Sequence, residues 1–175
     1  MPWQELWKAR LKNRVYSVDT NIFIDWWDRL YPPDIFISLK ERFEALIHEV
    51  KLFAPKLVLT EIERVGSREL KSWAKAHSTI FLPNDESIQS EASKIINGFP
   101  IIDPDAQYQE ADSFVIALAK SRGFTVVTHE TSFKLKTRSK RPPYSERVYI
   151  PDVCSKLDIP CIELIELMRR EGWTF

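Results

Sequence analysis

The chain has 175 residues, of which 44% are hydrophobic and 29% charged, enough for one domain with a sizeable buried core. Lysine and arginine number 25, and aspartate and glutamate also 25, which excludes a bulk polycation or an acidic tail. Any contact with nucleic acid must come from a local basic patch. No apolar run reaches the length of a membrane span, so no membrane partner is expected. The first thirteen residues, MPWQELWKARLKN, lack the apolar core of a signal peptide, so the cytoplasm is the expected address.

In chain order, residues 3–11 read as a short amphipathic helix, with Trp3, Leu6, Trp7 and Leu11 on one face of an N-terminal arm over residues 1–13. Residues 14–19 (RVYSVD) are short, β-branched and apolar, the pattern of a buried strand. Residues 21–30 have helical spacing and stop at Pro32-Pro33. Residues 36–50 form an amphipathic helix, 52–54 a brief strand, and 56–65 a helix ended by Gly66. A helix follows at 68–77, a strand at 79–82 and a helix at 86–96. The strongest helix is 112–122, stopped by Gly123, and the clearest strand is 124–128 (FTVVT). A polar, basic loop runs through 131–147. The C-terminal extension, 148–175, reads as a helical turn at 151–157, an extended piece at 159–162 and a helix at 163–170. Cys154 and Cys161 are expected as two buried free thiols. Strands separated by helices predict a three-layer α/β/α sandwich around a mostly parallel sheet, built as one domain over 1–175.

Four acidic residues punctuate this pattern where one element hands over to the next. They are Asp19 in VYSVDTN, Glu61 in LVLTEIER, Asp112 in ADSFVIALAK and Glu130 in VVTHETS. In a parallel sheet, sites form at the carboxyl ends of the strands. Asp19, Asp112 and Glu130 can line that rim, and Glu61 joins them if its helix crosses above it. Crowded carboxylates require a positive charge among them. An Asp/Glu set without His or Cys suits the hard cations Mg²⁺ or Mn²⁺. Such an ion can activate water and stabilise charge on a phosphate under attack. The chain has no GxSxG elbow, phosphate-cradling Gly-rich loop or dinucleotide fingerprint.

The order VYSVDTNIFI, then LTEIER, then ADSFVIALAKSRGFTVVTHE resembles the successive motifs of the PIN-domain family, over about residues 14–135. The ending, from VYIPDVC onward, is similar to a little-characterised prokaryotic branch of PIN-like proteins. The resemblance implies a Mg²⁺- or Mn²⁺-dependent endoribonuclease, often the toxin of a VapBC-type toxin–antitoxin pair. An RNA substrate, an antitoxin protein and a homodimer are the partners it implies. Position by position, it assigns the metal site to Asp19, Glu61, Asp112 and Glu130, with Asn21 and Thr128 as supporting groups. Glu61 takes the place of the family's mid-chain acid, which leaves Glu63 as a solvated charge. Glu130 departs from the aspartate that many members carry. The basic loop beyond Glu130 offers Lys134, Lys136, Arg138, Lys140 and Arg141 for RNA phosphates, and Tyr144 as a stacking face.

Blander readings apply elsewhere. Asp112 suits a helix N-cap, Thr20 a helix start, and Asp103 and Asp105 a turn around Pro104. Asp25 and Asp28 read as helix surface, His129 as an exposed neighbour of the site rather than a proton donor to a leaving group, and Trp26 and Trp27 as core and interface rather than base-stacking platforms. Two rival functions remain. A haloacid-dehalogenase-like phosphatase needs an Asp-x-Asp pair, and Asn21 occupies its second position. A catalytically silent PIN-like module would bind RNA or protein without cleavage.

Overall fold

The apolar run after Val15 becomes the central strand of the molecule. The computed structural model describes residues 14–103, 107, 110–131 and 148–175. The N-terminal arm, Asp105, Tyr144 and the five basic loop residues from Lys134 to Arg141 lie outside the described residues. Strand β1 (Tyr16–Val18) is wholly buried, as its Tyr-Ser-Val composition requires. It pairs in parallel with β2 (Leu52–Pro55) on one side and β4 (Thr125–Val127) on the other. Strand β3 (Phe81–Leu82) extends the sheet beyond β2, and β5 (Cys161–Ile162) extends it beyond β4. The order is β3-β2-β1-β4-β5, all parallel, with helices completing a three-layer α/β/α sandwich. Winding reverses between β1 and β4, and a crevice opens there beyond the carboxyl ends of the strands.

The helices follow from their sequences. Helix α1 (Thr20–Ile24) passes into a π-helical segment at Asp25–Leu30. Helix α2 (Ile37–His48) buries Leu39, Phe43 and Leu46. Helix α3 (Lys56–Val65) buries Val58 and Ile62, one turn apart. Helix α4 (Arg68–Ala76) is capped by Ser67, whose hydroxyl accepts from Leu70 N at 3.1 Å. Helix α5 (Glu86–Gly98) is capped in the same way by Asp85. Helix α6 (Asp112–Arg122) is buried continuously from Ser113 to Ala119, and Gly123, at φ +71°, ends it in the left-handed region. Helices α7 (Ile150–Lys156) and α8 (Leu164–Arg170) flank β5 in the chain.

Three sequence readings change. The strand expected over 79–82 is only its second half, because Ser78–Ile80 forms a 3₁₀ turn. Asp112 is the first helical residue rather than the cap, a position held by Ala111 without a side-chain bond. Cys154 is buried, but Cys161 is only partly so, and both are free thiols. Among the described residues, no helix is long and apolar enough to cross a membrane.

Helix α6 locks to the central strand through a buried bond in which Ser17 Oγ donates to Val115 O at 2.8 Å. Elsewhere in the core, Trp26 is fully buried. It stacks on Phe43 at 4.0 Å and meets Trp73 edge-on at 5.0 Å, confirming its core role. Trp26→Ala is expected to destabilise the fold by about 3–5 kcal/mol, read from the denaturant midpoint at unchanged slope. A loss below about 1 kcal/mol would mean that this cluster does not anchor the helical layer.

Candidate metal and active site

Asp19 follows β1 directly, and its N–H continues the ladder by donating to Val127 O at 3.0 Å. Its side chain is only 3% exposed. Oδ1 accepts from Thr20 N at 2.7 Å, and Oδ2 accepts from Thr128 Oγ1 at 2.8 Å. The Thr128 hydroxyl accepts in turn from Asn21 Nδ2 at 3.2 Å and from Glu130 N at 3.0 Å. Asn21 Oδ1 accepts from His129 N at 3.0 Å. The two expected supporting residues therefore join the end of β1 to the end of β4.

Glu61 reaches the same rim and lines the cleft from α3. Its Oε1 accepts from Ala111 N at 2.9 Å, beside the first turn of α6. Its Oε2 accepts a short bond from the Thr20 hydroxyl. Glu63 is exposed and faces Lys75 at 3.9 Å, the solvated position expected of it. Asp112 opens α6. This helix leads into β4, so it begins at the edge where β4 ends. Glu130 Oε2 accepts from Ile150 N at 2.8 Å, at the start of α7.

All four carboxylates line one cleft of about 340 Å³. Burial, then the nearby Glu130 charge, pushes the Asp19 carboxyl up to about 7, against the opposing hydrogen bond from Thr128. Asp112 is also raised well above the ordinary carboxylate range, by burial first and then by Asp19 and Glu130.

The cleft also contains residues that the sequence did not mark. Asp25, read as helix surface, lines it instead. Asp25 Oδ2 meets His129 Nδ1 at 2.7 Å, and Oδ1 pairs with Arg29 Nη1 at 3.0 Å. The reason is local. Asp25 lies one turn after Asn21 and opens the π-helical segment, a distortion common at functional sites. The four-residue spacing from Asn21 was the available signal. Thr20 does start the helix, but its hydroxyl also braces Glu61. Glu110, Arg29 and Arg64 complete the charged lining, and no motif points to them.

Among the described residues, no three or more His, Cys, Asp or Glu side chains stand ready to hold a metal ion. Asp19 and Glu61 direct both of their oxygens at protein donors. The donor chemistry nevertheless fits a hard divalent cation, because the convergent groups are carboxylates and their mutual repulsion favours a positive partner. Mg²⁺ keeps much of its water shell, so such a cleft would hold it with water completing the coordination.

A family model described as "Domain of unknown function (DUF4411)" matches residues 16–175, and the chain belongs to that family. No curated protein and no solved structure matches it.

The raised Asp19 value has a stability consequence with a definite sign. The unfolded carboxyl titrates near 4 and the folded one at about 7. Its contribution to stability is full below about pH 4 and is lost as pH rises through 7. In EDTA, Asp19→Asn is therefore expected to raise the melting temperature at pH 8 and to change it little at pH 5. Thermal scans at the two pH values check this. A gain confined to pH 5 would contradict it.

Proposed function

We propose that this member of the DUF4411 family is a Mg²⁺- or Mn²⁺-dependent endoribonuclease of the PIN-like type. The observation that carries the reading is the meeting of Asp19, Glu61, Asp112 and Glu130, remote in sequence, in one cleft at the switch point of a parallel sheet. The order and spacing of their motifs support it independently. Those four residues would hold the ion, which supplies Lewis-acid polarisation of the phosphate and a lowered pKa for the attacking water. The protein's own part is preorganisation. Thr20 N and the Thr128 hydroxyl fix both oxygens of Asp19. Asn21 steadies Thr128, and Glu61 ties α3 to the start of α6, from which Asp112 projects. These bonds keep the acids in place against their repulsion, so little reorganisation is needed when charge develops on the phosphate.

The toxin role, an antitoxin partner, a homodimer and a cytoplasmic location come from the resemblance and the composition. Growth arrest on expression, relieved by a co-purifying small partner, would support the toxin role. Unimpaired growth would remove it. A second reading, a catalytically silent module that binds RNA or protein, gains support from the lack of a ready-made metal-holding group among the described residues. Calorimetric titration with Mn²⁺ separates the two, since the silent module requires no binding.

The direct test is cleavage of labelled RNA. Activity is expected with Mn²⁺ and none in excess EDTA. Asp19→Asn and Asp112→Asn are each expected to lose on the order of 100-fold or more, roughly 3 kcal/mol of barrier, while remaining folded. Full activity in either variant, or in EDTA, would refute the proposal.

A further inference from the structure

The cleft carries six carboxylates, those of Asp19, Asp25, Glu61, Glu110, Asp112 and Glu130. Among its described lining residues the cationic side chains are Arg29 and Arg64. A polyanion entering such a cleft meets repulsion at every acidic group that is not neutralised. A cation at the floor can offset the charge only locally. Phosphates on either side of the reacting one need positive partners of their own.

The two arginines are placed for that task on different walls. Arg64 lies three residues after Glu61 on α3, so the two share a helix face. Arg29 lies four residues after Asp25 in the π-helical segment and is drawn to it by the 3.0 Å ion pair. That contact runs through Nη1, one part of a guanidinium with five N–H donors, so the pair orients Arg29 without exhausting it. Its side chain is 68% exposed, within reach of a ligand. The walls are tethered to each other, because Asp28 of the π-helical segment accepts from Ser67 N at 2.9 Å, just past the end of α3. Each element thus places an acid and, one turn further on, an arginine in the lining of the same cleft.

We propose that Arg29 and Arg64 are the phosphate-positioning residues of this cleft, gripping backbone phosphates of the bound nucleic acid from two neighbouring elements beside the carboxylate floor. The inference rests on the nuclease reading for the identity of the ligand. The basis for the grip itself is the charge and placement of the two side chains. Arginine suits the role because its planar fork can take two phosphate oxygens at once.

The test uses the full chain and a labelled single-stranded RNA oligonucleotide. Cleavage is measured with Mn²⁺, and binding by fluorescence anisotropy across a salt series with Ca²⁺ in its place. Arg29→Ala and Arg64→Ala are each expected to raise KM and Kd about tenfold, the effect of one charge-assisted contact. Each should also lower the slope of log Kd against log salt by about 0.7, the value for one phosphate contact on a single strand. Melting temperature should stay close to wild type, turnover should change less than KM, and Mn²⁺ affinity should not fall, because each variant removes positive charge from the acidic cleft. Arg29→Lys and Arg64→Lys should restore the salt slope, which a merely structural role would not do. If the wild type cleaves while both alanine variants match it in KM and salt slope, the arginine assignment falls and the nuclease reading stands. If the wild type binds without cleaving and the variants lose binding, the assignment stands and the nuclease reading falls. A wild type that neither binds nor cleaves removes both.

Discussion

Repulsion among crowded carboxylates is the constraint around which this molecule is organised. Asp19 is removed from water, Asp112 is partly so, and both face the charges of Glu61 and Glu130 in one cleft. Such an arrangement opposes folding unless neighbouring groups offset it. Part of the offset is visible as hydrogen bonds. Thr128 gives its proton to Asp19, Thr20 gives its N–H to Asp19 and its hydroxyl proton to Glu61, and the backbone N–H groups of Ala111 and Ile150 serve Glu61 and Glu130. The donors come from four separate stretches of chain, so the acids can meet only in the completed fold.

The sheet topology makes that meeting possible. Adjacent parallel strands β1 and β4 end side by side, which brings Asp19 next to the Thr128–Glu130 segment. A helix leading into a parallel strand starts at the opposite edge from that strand's beginning, and this carries Asp112 to the same rim. Helix α6 cannot shift easily, because its middle is buried on nearly every side and Ser17 pins it to the central strand. The aromatic cluster around Trp26 does the same for the segment that carries Asp25 and Arg29. Core packing here has a functional consequence, since it holds like charges where solvation alone would separate them.

Much of this was legible in the sequence. The bounds of α3 follow from its helical spacing and Gly66, those of α6 from Asp112 near its start and Gly123 past its end, and β1 and β4 from short buried β-branched runs. The choice of Glu61 over Glu63 follows from helix geometry combined with motif position, and the two residues do face different surroundings. Other features left no readable trace. A two-residue strand such as β3 has too few positions to show alternation, and a 3₁₀ turn before it has the same composition. The π-helical segment keeps the apolar spacing of an ordinary helix, so Asp25 looked solvated. Its value to the site depends on His129 and Arg29, partners that only tertiary structure supplies. Thr20 carried a sufficient local explanation as a helix start, which hid its contact with Glu61.

The most direct measurement is a crystal structure in saturating Mn²⁺, with data collected for the anomalous signal of the metal. A peak is expected within the cleft, among Asp19, Glu61, Asp112 and Glu130, with water filling the remaining coordination. A cleft without a peak, or an ion bound only on another face of the molecule, would contradict it.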